Sequence, residues 1–190
     1  MSFTMERRQD EAERENRQAL VIDPLSPQAS SHRATLLIMR GDIPAARVAL
    51  RSVLGNNPGF QVPLYYLGII DAAEGRYADA LVSLEHARQR APDFSGLRSA
   101  LAYTYTRLGQ AANANKMRQE LRATGDGDQA RIERALGEAV MGNIDGAYGA
   151  LQNVRWDFSS TINLRASPLL SQFRQDRRYA ALLGRMRLNP

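Results

Sequence analysis

The chain has 190 residues, 44% hydrophobic and 24% charged, the balance of one folded domain with a continuous core rather than of a disordered chain. It has no cysteine, which excludes disulfides, thiolate metal sites and cysteine nucleophiles, and its longest apolar runs, "TLLIM" and "YYLGII", fall far short of the ~20 residues of a membrane span. The net charge is +5, yet only Lys116 among the 25 basic residues is a lysine, and an arginine-only set reads as a GC-rich genome rather than as selection for phosphate.

The opening stretch "MSFTMERRQDEAERENRQ" is charged where a secretory signal would be apolar, so a cytoplasmic protein is expected. Residues 5–24 read as the second helix of a helical hairpin, with Ala12, Ala19 and Leu20 placed to pack on the next unit and Pro24 closing it. The other side of that helix lacks a partner, residues 1 to about 6 are expected to be mobile, and weak homodimerisation is an alternative use of this open end.

Residues 27–60 form the first full hairpin: Pro27 suits a first helical turn, Gly41 and Asp42 break the chain, and Ala46, Leu50 and Val53 mark the packed face of the return helix. Residues 61–94 repeat this with Leu64, Leu67 and Gly68 followed by Ala80, Leu84, Ala87 and Pro92. Gly68 and Ala80 are expected where the two helices come closest. Residues 95–127 keep Leu101, Ala102, Tyr105, Gly109, Ala114 and Leu121, but Arg118 occupies an apolar column and "TGDGD" replaces the exit proline. Residues 128–156 follow one residue out of register, with Gly142, Ala147, Leu151 and Val154, and with Ile132, Ala135, Leu136, Ala139 and Val140 at helical spacing. Gly146 and Gly149 read as close-packing sites.

Residues 157–166 show no helical period and read as an ordered connector. Residues 167–188 read as capping helices: Ser167 and Pro168 start a short one carrying Leu169, Leu170 and Phe173, and Asp176 caps a last one. Tyr179, Leu182, Leu183 and Met186 make its single apolar stripe, expected to cover the end of the core, with a self-inhibitory position against Tyr65 and Tyr103 as the competing reading.

One period runs through these units. Pro24, Pro58 and Pro92 are 34 residues apart, as are Ala12, Ala46, Ala80 and Ala114, and Gly41, Gly75 and Gly109. On these residues the chain resembles the tetratricopeptide repeat family. That resemblance implies an all-α fold, a right-handed superhelix of antiparallel helix pairs with a C-terminal capping helix, and Arg33 departs from it at a usually apolar position. The ending, with Pro168, Leu169, Phe173, Arg174, Asp176, Arg178, Tyr179, Leu182 and Leu183, resembles the repeat arms of bacterial multidomain regulators that follow a winged-helix or adenylate cyclase domain.

Little in the chain points to chemistry. His32 and His86 lie in different repeats, no nucleotide, zinc-protease or hydrolase motif is present, and "GDGD" at 125–128 lacks the spacing of a calcium loop. No enzyme activity, cofactor or metal is expected. The expected function is protein binding on the concave face, which first helices line in such solenoids. Its candidate residues are Thr35, Ile38, Tyr65, Ile69, Tyr103, Thr106 and Arg107, although the tyrosines could instead pack between repeats. The groove lacks the Lys and Asn of chaperone-tail clamps, so an extended or helical apolar segment is the expected ligand. The rival readings are an oligomerisation module without external ligand and a basic C-terminal surface for nucleic acid.

Overall fold

The computed structural model describes residues 3–156 and 158–187, with side chains over 10–156 and 162–186. Helix α1 (Phe3–Ile22) precedes four pairs: α2 (Pro27–Arg40) with α3 (Ile43–Asn56), α4 (Gln61–Ala73) with α5 (Tyr77–Arg90), α6 (Leu97–Arg107) with α7 (Ala111–Arg122), and α8 (Asp128–Val140) with α9 (Ile144–Ala150). Each first helix also packs on the unit before it. The described residues contain no strand.

The glycine column has a conformational cause. Gly41, Gly75, Gly109 and Gly142 have φ of 83, 82, 72 and 84°. At the first of them the Gly41 N–H donates to the Ile38 carbonyl and the Asp42 N–H to that of Leu37, and the other three turns repeat both bonds in register. The left-handed residue closes the first helix and reverses the chain, which glycine does without steric cost. The alanine column is the contact between paired helices, since Ala46, Ala80, Ala114 and Ala147 are all buried. A Cβ on Gly68 would lie 2.6 Å from Leu84 Cγ and 3.3 Å from the Ala80 carbonyl, so no larger residue fits that crossing.

Departures from the pattern are tolerated for visible reasons. Arg118 donates to Asn115 Oδ1 at 3.0 Å and Thr106 Oγ1 at 3.1 Å, and the neighbouring Met117 is buried in its place. Arg33 faces solvent. The close-packing expectation is corrected for Gly149, where a Cβ would meet nothing within 4 Å, whereas at Gly146 a Cβ would lie 2.4 Å from Nδ2 of Asn143, the residue that caps the same helix. On α1, Ala19 is exposed and the buried contact is made by Asn16, whose amide donates to the Ala29 carbonyl at 2.8 Å. Of the start expected to be mobile, Met1 and Ser2 lie outside the described residues, and α1 is helical from Phe3.

The expected connector is a helix, α10 (Phe158–Ala166), with Asp157 outside the described residues. Its β-branched and polar residues give weak intrinsic propensity. Tertiary packing supplies the stability instead, because Asn163, Leu164 and Ala166 are buried and the helix lies against α2 and α8. The chain ends in a 3₁₀ turn (Pro168–Leu170), α11 (Ser171–Gln175) and α12 (Arg178–Arg187). Two cores result. One joins α2 to α7 and takes in Ala166, and the other gathers α8, α9, Leu164, Leu170, Phe173, Leu182 and Met186.

Candidate protein-binding face

The face lined by α2, α4, α6 and α8 carries all seven residues expected to bind, but it does not expose them equally. Thr35, Ile38, Tyr65 and Ile69 are buried, the tyrosine at 3% exposure and Ile69 at 0%. Tyr65 packs its ring on Tyr66 and Phe94, with centroids 5.2 and 5.0 Å away, and burial pushes its hydroxyl well above the ordinary phenol range. Tyr103 is half-buried, and Thr106 and Arg107 are exposed. Tyr103 and Arg107 form a separate group with Tyr77: the Tyr77 ring meets that of Tyr103 edge-on at 6.3 Å, and the Arg107 guanidinium sits 5.1 Å over the Tyr77 ring. Thr106 donates to the Ala102 carbonyl at 2.7 Å.

What covers the buried four includes the chain itself. Residues 162–170 cross this face, α10 against α2 and α8 and the 3₁₀ turn against α4 and α8, with Ile162 and Leu169 packed on the first core. Ser167 and Leu169 line a small cavity with Tyr65 of α4, Ser99 of α6, and Leu136 and Val140 of α8. Periodicity could not show this. The signal present in the sequence was the run Ile162, Leu164, Ala166, Leu169, too irregular to be recognised as a packed segment.

A buried polar knot fixes the crossing. The Glu133 carboxylate accepts from the Ser95 hydroxyl at 2.5 Å and from the Gly96 N–H at 3.0 Å, and the Asn163 amide donates to Ser95 Oγ at 2.8 Å. Burial holds the Glu133 carboxyl above the usual range, although the bonds from Ser95 and Gly96 and the charge of Arg98 oppose this. Gly96 has φ 80°, and a Cβ there would lie 2.4 Å from the Tyr65 hydroxyl.

Residues 71–139, from the end of α4 to the end of α8, match the family model described as tetratricopeptide repeat. The chain contains tetratricopeptide repeats. No curated protein and no solved structure matches it. Repeats of this family generally mediate protein–protein interaction. The matched stretch includes Tyr77, Tyr103, Thr106 and Arg107, and the units on either side extend the same turn and contact geometry.

The C-terminal residues close the repeat stack. Phe173 and Leu182 are buried against α8 and α9, Tyr148 stacks on Phe173 with centroids 4.6 Å apart, and the Arg178 guanidinium lies 4.4 Å over the Tyr148 ring. Asp176 caps α12 by accepting from the Arg178 N–H at 2.9 Å, and its carboxyl is held down at about 2 chiefly by the Arg178 side chain. Ser167 makes no side-chain cap. Its carbonyl instead accepts from Arg174 Nη1 at 2.6 Å. Among the described residues no group of three or more His, Asp or Glu could hold a metal ion, and no helix is long and apolar enough to cross a membrane.

Proposed function

We propose that this tetratricopeptide-repeat chain is a non-enzymatic scaffold that binds a helical or extended segment of another protein on its inner face, as the regulatory arm of a larger protein. One observation carries the reading: that face already holds a short helix and a 3₁₀ turn from residues 162–170, seated on side chains of α2, α4 and α8. A surface that accommodates one such segment has the shape and apolar character to take a second beside it. The uncovered part is Tyr103, Thr106 and Arg107 with Tyr77, where aromatic rings and a cation present large contact area at one place. The regulatory context rests on the C-terminal resemblance alone.

Affinity purification of the wild type, Tyr103→Ala and Arg107→Glu from cells, read by quantitative mass spectrometry, tests the proposal. A protein set that falls about tenfold in both variants supports it, at ~1–3 kcal/mol per interface aromatic. An enriched set that is indifferent to both variants moves binding elsewhere, and no enriched set contradicts a scaffold.

A second reading, self-association, draws on the end of α1 and the following turn, where Val21, Ile22 and Leu25 are 80, 85 and 76% exposed. Sedimentation equilibrium of Val21→Ser with Ile22→Ser decides it, since a dimer that survives the pair does not use this patch. The nucleic-acid reading gains no support: Arg155 pairs with Asp128, Arg178 with Asp145 and Asp176, and Arg174 with backbone carbonyls.

A further inference from the structure

The crossing of residues 162–170 leaves a cleft of about 770 Å³ between the α2–α3 turn and the C-terminal helices. Its floor is apolar, made by Ile38, Met39, Ile43, Ala166, Tyr179 and Leu183. Among the described residues its charged lining is of one sign: Arg40, Arg165 and Arg174 line it, and no Asp or Glu does. Arg40 is compensated by Glu13 at 2.5 Å. Arg165 and Arg174 have no carboxylate within ion-pair distance among the described residues, and Tyr179, which lines the cleft with them, has its hydroxyl pushed up by burial against the opposing charges of Arg174 and Arg165.

Arg174 is held in place rather than neutralised. Its Nη1 donates to the carbonyls of Ser167 and Arg165, at 2.6 and 3.4 Å, which orients the guanidinium but brings no opposite charge. Burial correspondingly disfavours its charged form. A partly buried cation without a counter-charge is unfavourable, and an incoming carboxylate would relieve that while its neighbouring apolar side chains cover the floor.

We infer that this cleft is a binding site for an acidic segment of a partner protein, in which carboxylates meet Arg165 and Arg174 and an adjacent aliphatic or aromatic side chain enters against Ile38, Ile43 and Leu183. The inference rests on the scaffold reading but names a different place from the Tyr103 group. The apolar floor favours a peptide over a nucleic-acid strand, whose phosphates would leave the floor uncovered and which uses aromatic platforms that this cleft does not repeat.

The test is selection of short random peptides displayed on phage against the full-length chain, followed by fluorescence polarisation of the enriched peptides. Enrichment of sequences combining Asp or Glu with Leu, Ile or Phe is expected. Their affinity should fall about tenfold in Arg165→Glu and in Ala180→Glu, and should weaken with added salt. Ala180 is exposed at the cleft wall, so its variant adds a repelling carboxylate without touching the core, and a melting curve equal to wild type confirms that both variants fold. Enriched peptides without acidic residues, unchanged affinity in folded variants, or full displacement by a single-stranded DNA oligonucleotide would each overturn the inference. Peptides that respond to Tyr103→Ala and ignore Arg165→Glu would overturn it while leaving the scaffold reading intact, whereas no enrichment on either site would count against both.

Discussion

The Asn163 side-chain amide donates to the Ser95 hydroxyl at 2.8 Å, tying helix α10 to the start of the third repeat across the inner face. Ser95 in turn donates to Glu133, so the C-terminal segment and two repeat units share one hydrogen-bonded knot. The segment that covers Tyr65 is thereby held by polar contacts in defined register as well as by apolar burial.

Asn163→Ala should loosen that segment selectively. The loss of one buried hydrogen bond costs about 1 kcal/mol. Amides of residues 162–170 should exchange about fivefold faster while those of α4 and α5 hold their rates. Hydrogen exchange by mass spectrometry reads both, and uniform acceleration along the chain would show that the bond supports the whole fold instead.

Two glycines should respond to alanine with opposite signs. Gly96→Ala meets both a left-handed backbone and the Tyr65 hydroxyl 2.4 Å from the new Cβ, so a loss of about 2 kcal/mol or more is expected. Gly149→Ala sits in helix α9 with open space around it, and should raise stability by up to ~1 kcal/mol. Urea melts of the two variants check this directly.

Glu133 predicts a pH dependence. Its folded-state carboxyl titrates above the ordinary value of 4.5, so the folded form binds the proton more tightly than the unfolded chain does. Its contribution is complete below that value and is lost as pH rises through the folded one. Glu133→Gln keeps an acceptor for the Gly96 N–H and has no charge to bury. The stability of the Gln variant relative to wild type should therefore increase between pH 4 and 7, and parallel curves would rule out burial as the dominant influence.

Deleting residues 177–190 should destabilise the last repeat, because Leu182 and Met186 cover α8 and α9. The point substitution Leu182→Ala isolates the effect and should cost about 2–5 kcal/mol. A melting midpoint that is unchanged or raised, together with stronger partner retention, would mean that α12 restrains binding rather than capping the core.

The repeat was legible because its cause is local and recurs: a left-handed glycine ends each first helix, and a small residue in each second helix lets the pair approach. Gly41 and Ala46 announce both without any tertiary knowledge. The candidate face was legible only in part. Positions on first helices identify the lining, yet whether Tyr65 is open or covered depends on a segment a hundred residues later, whose weak periodicity in "TINLRAS" concealed a helix stabilised by its surroundings. Tyr65 and Tyr103 differ in burial as well as in repeat position. Tyr103 stands 34 residues from Ile69, not from Tyr65, so the two rings occupy different columns.

The most direct test is hydrogen exchange of the full chain with and without a retained partner. Binding on the inner face predicts added protection at residues 103–107 and at the cleft around residues 38–43, with the turns of α3 and α5 around the exposed Val48 and Val82 unchanged. Protection confined to the Val48 and Val82 side, with residues 103–107 and 38–43 exchanging as in the free chain, would contradict the account.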